Sequence, residues 1–172
     1  DLNINFVTFN EIENVAEPEE NGKTFFDNAL LKAKYYFSKT GIPALADDSG
    51  LVVDSLKGAP GVYSARFAGS NATDKDNNKK LLISMIGEKD RKAKFVCSMV
   101  LYAGENNIYS AEGKVEGEIT YQPKGDHGFG YDPLFYVKSL NKTMAELSTI
   151  QKNKISHRAE ALENLYKVMK NN

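Results

Sequence analysis

The sequence lacks several features that would place the protein among membrane, secreted or nucleic-acid-binding classes. It has one cysteine, Cys97, which excludes an internal disulfide and favours a reducing compartment, so we expect a cytoplasmic protein. No apolar run approaches the ~18 residues of a membrane-spanning helix, and the first residues do not resemble a signal peptide. Lysine and arginine (22) nearly balance aspartate and glutamate (23), so we expect neither nucleic acid nor membrane as a partner. Any anionic ligand must therefore bind at a local site.

The chain also lacks internal repeats and low-complexity linkers. Its 172 residues, 41% hydrophobic and 26% charged, suffice for one packed domain over 1–172. Strand-like and helix-like segments alternate, which favours an α/β domain. The predicted strands are 4–9, 43–46, 51–56, 93–103 and 114–120, and the predicted helices begin after Thr24, Thr73 and Ser156.

The first predicted helix has a recognisable start and end. Thr24 and Asp27 can form a capping box, and Gly41 can end the helix. The predicted apolar face consists of Phe26, Leu30, Ala33 and Phe37. Asn28 and Lys32 are four residues apart, and we expect them on the opposite face.

Two adjacent carboxylates, Asp47 and Asp48, separate the strand-like segments 43–46 and 51–56. Because like charges repel, we expect the pair at a strand edge or bend, close to a positive group. The pair either organises a turn or binds Mg²⁺, which prefers oxygen ligands and completes its shell with water and substrate phosphates. Glu20 is either a third metal-binding carboxylate or a solvated loop charge.

Basic residues gather before and at the start of the last predicted helix. We expect Lys152, Lys154, His157 and Arg158 at its N-terminus, where the helix dipole disfavours cations. The cluster is either a solvated basic turn or an anion site.

The glycine-rich loop 125–135 contains one aromatic residue between two glycines, Phe129. Its ring either packs into the core or lies in a cleft where it stacks on a flat base. Carboxylates for Mg²⁺, cations for phosphates and a ring for a base together indicate a nucleoside triphosphate site.

Five motifs occur in a characteristic order: "LADDSGL", "GAPGVYSARFAG", "GFGYDPLF", "TMAELS" and "ISHRAEAL". With them, nearly the whole chain from "ENGKTFFDNALLKA" onwards resembles the inosine triphosphate pyrophosphatase family. The resemblance implies an elongated mixed β-sheet with flanking helices and two lobes around a central nucleotide-binding cleft. It also implies a homodimer that hydrolyses ITP, dITP and XTP to the monophosphate and pyrophosphate with Mg²⁺.

The same resemblance implies roles for individual residues. Asp48 corresponds to the catalytic carboxylate, and the metal ligands correspond to Glu20, Asp47 and Asp48. The implied substrate-binding residues are Lys32 and Lys152 for phosphate, Phe129, Asp132, His157 and Arg158 for the base, and Ser49, Gly130 and Tyr131 beside them.

Family members begin with a strand and a Thr/Ser-x-Asn-x-x-Lys phosphate loop, whereas this sequence starts downstream of that motif at "DLNINFVTF". We therefore expect a domain without this element. Two alternatives to the implied function are a related pyrophosphatase of the septum-inhibition type and a nucleotide-binding module without catalysis. The "SHR" and "GFGYDP" motifs argue against the first alternative.

Overall fold

The structure is a computed structural model that describes residues 5, 7–8, 11–12 and 15–171. Residues 4, 6 and 9 of the strand predicted at 4–9 lie outside the described residues, and residues 5, 7 and 8 belong to no strand of the described part. None of the helices in the described part is both long enough and apolar enough to cross a bilayer.

Helix α1, Phe25–Thr40, begins and ends where the sequence predicts. Thr24 and Asp27 form the capping box, and Gly41 ends the helix at φ 70° with its N–H donating to the Phe37 carbonyl at 2.8 Å. The predicted apolar face is partly wrong, because Phe26 is exposed and Asn28 is fully buried. Asn28 tolerates burial because its Oδ1 accepts a hydrogen bond from the Gly22 N–H at 2.7 Å and its Nδ2 donates one to Asp48.

Five antiparallel strands form one sheet in the order β1 to β5. Their bounds are Ala44–Val53 (β1), Lys92–Tyr102 (β2), Ile108–Ile119 (β3), Phe135–Val137 (β4) and Lys142–Thr143 (β5). The α/β class with flanking helices is confirmed. Every pairing among the described strands is antiparallel.

The expected bend at the Asp pair is wrong. Asp47 and Asp48 lie in the middle of a continuous strand, β1, opposite Met99 and Ser98 of β2. Adjacent side chains of a strand point to opposite faces, so the two carboxylates separate without any bend.

Two helices cover the two faces of the long strands. Helix α1 packs on one face around Ala29, Ala33 and Val100. Helix α4, His157–Lys170, packs on the other face against Cys97 and Met99. Where α4 crosses β3, a Cβ at Gly113 would lie 2.2 Å from the Ala161 nitrogen, so this close packing requires glycine. The largest core cluster contains Leu51 of β1 and Phe135 of β4 together with Leu81 and Leu134.

Helix α2, Asp74–Ser84, begins after Thr73 as predicted, and Thr73 and Asp76 form a capping box. Thr143 and Glu146 form another box, which caps a short 3₁₀ turn.

The basic cluster is divided between two helices, which corrects its predicted position. A separate helix α3, Thr149–Ile155, starts from a capping box of Ser148 and Gln151. Lys152 and Lys154 lie in its last turn, where a helix dipole favours cations. Only His157 and Arg158 stand at the start of α4, which Ser156 caps as predicted.

Candidate active site

Asp48 points to the face of the sheet that α1 covers. Its Oδ2 accepts a hydrogen bond from Asn28 Nδ2 at 2.8 Å, and its Oδ1 accepts one from the Ser49 backbone at 2.9 Å. Burial raises the pKa of the Asp48 carboxyl above its ordinary value, the Asn28 hydrogen bond opposes this shift, and the charge of Glu20 adds to it. The carboxylate is therefore suited to accept a proton or to bind a cation.

Glu20 and Lys32 lie near Asp48 on the same face. Lys32 Nζ forms a half-buried ion pair with Glu20 Oε1 at 2.5 Å. The backbone carbonyl of Glu20 accepts a hydrogen bond from Arg66 Nη2 at 3.2 Å, which fixes the loop that precedes α1. Lys32 thus stands four residues after Asn28 on the helix, as predicted, and both side chains face the sheet rather than away from it.

The predicted metal ligands do not come together as a group of three. Within the described part of the chain no three His, Cys, Asp or Glu side chains could jointly hold a metal ion. Asp47 points to the opposite face of β1, which leaves Glu20 and Asp48 as the two carboxylates on one side. Two carboxylates suffice for Mg²⁺, which takes its remaining ligands from water and phosphate oxygens.

Asp47 points toward α4 and meets several donors there. Its Oδ2 accepts hydrogen bonds from Arg158 Nε at 3.0 Å and from Ser49 Oγ at 3.2 Å, and it lies 3.6 Å from Cys97 Sγ. Burial and the neighbouring Asp47 charge raise the pKa of the Cys97 thiol to about 12, so the thiol stays protonated. Ser49 therefore contributes its hydroxyl group to the Asp47 face and its backbone N–H to Asp48.

Phe129 is presented to solvent, so the alternative in which it packs into the core is wrong. The residue is 63% exposed, and its ring centroid lies 4.6 Å from Lys152 Nζ and 5.9 Å from Arg158 Cζ. Cations beside a ring face interact favourably with the π-system. The structure thus brings Phe129, Lys152 and Arg158 together, as the sequence predicts.

The neighbours of Phe129 hold the loop in place. Tyr131 is buried, and its hydroxyl group donates to the Ser64 carbonyl at 2.9 Å. The Gly130 N–H donates to Asp74 Oδ2 at 2.6 Å, and its carbonyl accepts from Asn78 Nδ2 at 2.7 Å. Two hydrogen bonds from helix α2 therefore hold the loop that carries the exposed ring.

Asp132 is buried and directs its carboxylate at protein groups. Its Oδ2 accepts from the Phe129 backbone N–H at 2.9 Å and also pairs with Lys152. A Cβ at Gly128 would lie 2.0 Å from that same oxygen at a φ of +81°, so only glycine fits there. Asp132 thus fixes both the ring and its neighbouring cation.

His157 is nearly buried and stacks on Phe95, with ring centroids 5.1 Å apart and an interplanar angle of 16°. Burial, together with the charges of Arg158 and Lys152, lowers the pKa of His157 to about 4. The imidazole is therefore neutral near pH 7. Its buried Nδ1 has no hydrogen-bond partner within the described residues.

The sequence does not predict four supporting contacts. Asn28 binds Asp48, Arg66 binds the Glu20 carbonyl, and Asp74 and Asn78 bind Gly130 of the glycine-rich loop. The spacing of Asn28 and Lys32 was a usable signal for the first of these. The other contacts join segments more than forty residues apart, which no local pattern reveals.

The chain is similar in sequence and in fold to known proteins. The model of the Ham1 family matches residues 1–168. The chain is 52% identical to the dITP/XTP pyrophosphatase of Aquifex aeolicus, covering 92% of this chain and 83% of that protein. It is 48% identical to the dITP/XTP pyrophosphatase of Clostridium tetani, with 99% and 86% covered. Among solved structures it is similar to a HAM1 protein from Coxiella burnetii (TM-score 0.87, 47% identity, 92% of this chain and 82% of that chain). The Ham1 protein of Staphylococcus aureus is similar too (TM-score 0.84, 44% identity, 89% and 80% covered).

Proposed function

The chain belongs to the Ham1 family, and on that basis we propose that it hydrolyses ITP, dITP and XTP to the nucleoside monophosphate and pyrophosphate. The observation that carries the proposal is that different functional groups lie on the two faces of β1. Asp48 lies near a carboxylate and a lysine suited to a metal and phosphates, and Asp47 pairs with Arg158, which lies beside the exposed Phe129 ring suited to a base. The relatives named dITP/XTP pyrophosphatases support the same reaction.

On the α1 face, Asp48 orients the attacking water and accepts its proton. Its raised pKa makes it a stronger proton acceptor than an ordinary aspartate. The water oxygen bonds to the α-phosphorus, the bond to the bridging oxygen breaks, and pyrophosphate leaves. Lys32 binds phosphate oxygens. The family resemblance assigns Lys152 to phosphate as well, but because Lys152 lies beside Phe129 we propose it for the nucleoside end of the substrate.

We propose Glu20 and Asp48 as the residues that hold Mg²⁺. Glu20 lies close enough to affect the Asp48 carboxylate, and two carboxylates together with water and phosphate oxygens would suit Mg²⁺. When bound, Mg²⁺ neutralises charge on the triphosphate and lowers the pKa of a coordinated water.

On the α4 face, Phe129 stacks on the purine while Arg158 and neutral His157 offer hydrogen-bond donors. Hypoxanthine and xanthine carry a carbonyl acceptor at C6, whereas adenine carries an amino donor there. A buried donor left unpaired costs about 1–3 kcal/mol, so one mismatch gives roughly tenfold to hundredfold discrimination against ATP.

The proposal also includes a homodimer in the cytoplasm. The family resemblance supports the dimer, and the single, buried and protonated Cys97 suits a reducing compartment. A solution mass near twice 19.1 kDa is expected for the chain, and a mass near 19.1 kDa would contradict the dimer.

Product analysis tests the proposed reaction. The chain is incubated with Mg²⁺ and, in turn, ITP, dITP, XTP, GTP and ATP, and both pyrophosphate and orthophosphate are measured. We expect pyrophosphate and the monophosphate from ITP, dITP and XTP, with ATP cleaved far more slowly. Formation of IDP and orthophosphate, or equal turnover of ATP, would contradict the proposal.

A further inference from the structure

We propose that Asp47 is a positioning residue that holds Arg158 for recognition of the base and takes no part in metal binding. This inference rests on the proposed function and deepens it. It separates two neighbouring residues that the sequence groups together as metal ligands.

The first support is the direction of the side chain. Asp47 and Asp48 are consecutive in β1, and their hydrogen-bond partners lie on different helices, Arg158 on α4 and Asn28 on α1. Because the sheet lies between these two helices, the carboxylate of Asp47 is separated from Glu20 and from the proposed Mg²⁺ ligands. A metal bound by Asp48 and Glu20 is therefore out of reach of Asp47.

The second support is that the Asp47 carboxylate already has several donors within the protein. A single oxygen, Oδ2 of Asp47, faces the Nε of Arg158, the hydroxyl of Ser49 and the thiol of Cys97. Three donors around one oxygen, one of them cationic, satisfy its charge within the protein. An additional cation at this oxygen would meet the positive charge of Arg158.

The third support is the way Arg158 is held. The ion pair uses Nε, and neither terminal guanidinium nitrogen has a hydrogen-bond partner in the described part of the chain. The Arg158 side chain is 44% exposed, and its Cζ lies 5.9 Å from the Phe129 ring centroid. Asp47 thus fixes the inner edge of the guanidinium group and leaves its outer donors for a ligand stacked on Phe129.

The second cation beside the ring is held in the same way. Lys152 lies 4.6 Å from the Phe129 ring centroid and pairs with the buried carboxylate of Asp132. Each of the two cations that flank Phe129 is therefore anchored by its own carboxylate. Because Asp47 and Asp132 each pair with a cation beside Phe129, both are assigned to the base-binding side.

The test compares Asp47→Asn and Asp48→Asn by two measurements. The first is the affinity for IMP and for AMP without any metal, obtained by NMR titration. The second is the Mg²⁺ concentration that gives half-maximal ITP hydrolysis. Glu163→Gln is the matched control, because it removes a carboxylate from α4 that pairs with exposed Lys167.

For Asp47→Asn we expect IMP affinity to fall by about tenfold, the effect of losing one charge-assisted hydrogen bond. We expect the preference for IMP over AMP to shrink as well, while half-maximal Mg²⁺ stays unchanged. The KM for ITP should rise more than kcat falls. For Asp48→Asn we expect the opposite pattern, with a disturbed Mg²⁺ dependence and little change in metal-free IMP affinity.

An Asp47→Asn variant that shifts half-maximal Mg²⁺ and binds IMP normally would overturn the inference. If this variant does not fold, as a melting curve would show, Asp47→Glu replaces it with the same two measurements and the same expected directions. The proposed function fails separately, when the unchanged chain binds IMP and releases no pyrophosphate from ITP. A chain that does not bind IMP at all would overturn the inference itself.

Discussion

Two neighbouring carboxylates on the two faces of β1 have different partners. On the α1 face, Asp48 is hydrogen-bonded by a neutral amide and a backbone N–H, while the nearby Lys32 is paired with Glu20, and burial raises the Asp48 pKa. On the α4 face, Asp47 is paired with a guanidinium group. A buried carboxylate without a counter-ion is available for a metal or a proton, whereas a paired carboxylate is committed to its partner. The identity of the residue therefore does not decide its role, and its partners do.

The largest expected effect is on the α1 face. Asp48→Asn should lower kcat for ITP by about 10²–10⁴-fold, the usual contribution of a positioned base. Steady-state kinetics measure this loss, and a near-normal kcat would remove Asp48 from the mechanism.

The same variant should also change the melting temperature, in a direction that follows from the Asp48 pKa. The folded-state pKa of Asp48 is raised, so its charged form costs stability once the pH rises above the unfolded value of 3.8. Asp48→Asn should therefore melt higher than the unchanged chain near pH 7, and the difference should vanish below pH 3.8. A lower melting temperature at pH 7 would show that Asp48 stabilises the fold instead.

A smaller effect is expected from the exposed ring on the α4 face. Phe129→Ala should raise the KM for ITP by roughly tenfold to hundredfold, because stacking of a base on an aromatic ring contributes about 1–3 kcal/mol. The ring is 63% exposed, so the melting temperature should change little. A large loss of stability with an unchanged KM would indicate a structural role for the ring.

The next effect concerns the residue that holds Asp48. Asn28→Ala removes a fully buried hydrogen-bond donor, and we expect a loss of about 1–3 kcal/mol in the free energy of unfolding. Because Asn28 lowers the Asp48 pKa, its removal should move the acid limb of the kcat profile to higher pH. Denaturant unfolding and a pH–rate profile measure the two effects, and an unmoved acid limb would contradict the assignment of Asp48 as the base.

The smallest effect is expected from the hydrogen bond between Asp74 and the glycine-rich loop. Asp74→Ala removes the acceptor of the Gly130 N–H, which lies at an exposed position, and Asn78 still binds the Gly130 carbonyl. We expect a rise of roughly threefold in the KM for ITP, since one net hydrogen bond contributes about 0.5–1.5 kcal/mol. Asp76 is less suitable as a comparison, because it closes the capping box of α2.

Local sequence signals predicted the elements well wherever one short pattern determines them. The capping box at Thr24 and the N-caps at Thr73 and Ser156 are present as predicted. The S-x-x-Q pattern of Ser148 and Gln151 is a signal of the same kind, and it explains why two basic residues belong to α3. Helix starts depend on contacts within four residues, so a single sequence contains them.

The site was less predictable because its geometry depends on long-range partners. Repulsion between Asp47 and Asp48 suggests a bend, but the pairing of β1 with β2 continues through both residues and alternation separates the two charges. A helical pattern assigns Asn28 to the polar face, yet Asp48, twenty residues later, gives it a buried partner. The cluster of Phe129, Lys152 and Arg158 was predictable from motifs, whereas its anchoring by Asp132 and Asp47 was not.

The site of water attack is the most direct test of the account. ITP is hydrolysed with Mg²⁺ in ¹⁸O-labelled water, and the products are separated and analysed by mass spectrometry. Because Asp48 is assigned to water that attacks the α-phosphorus, the account predicts one ¹⁸O atom in IMP and none in pyrophosphate. Label in pyrophosphate, or release of labelled orthophosphate, would contradict it.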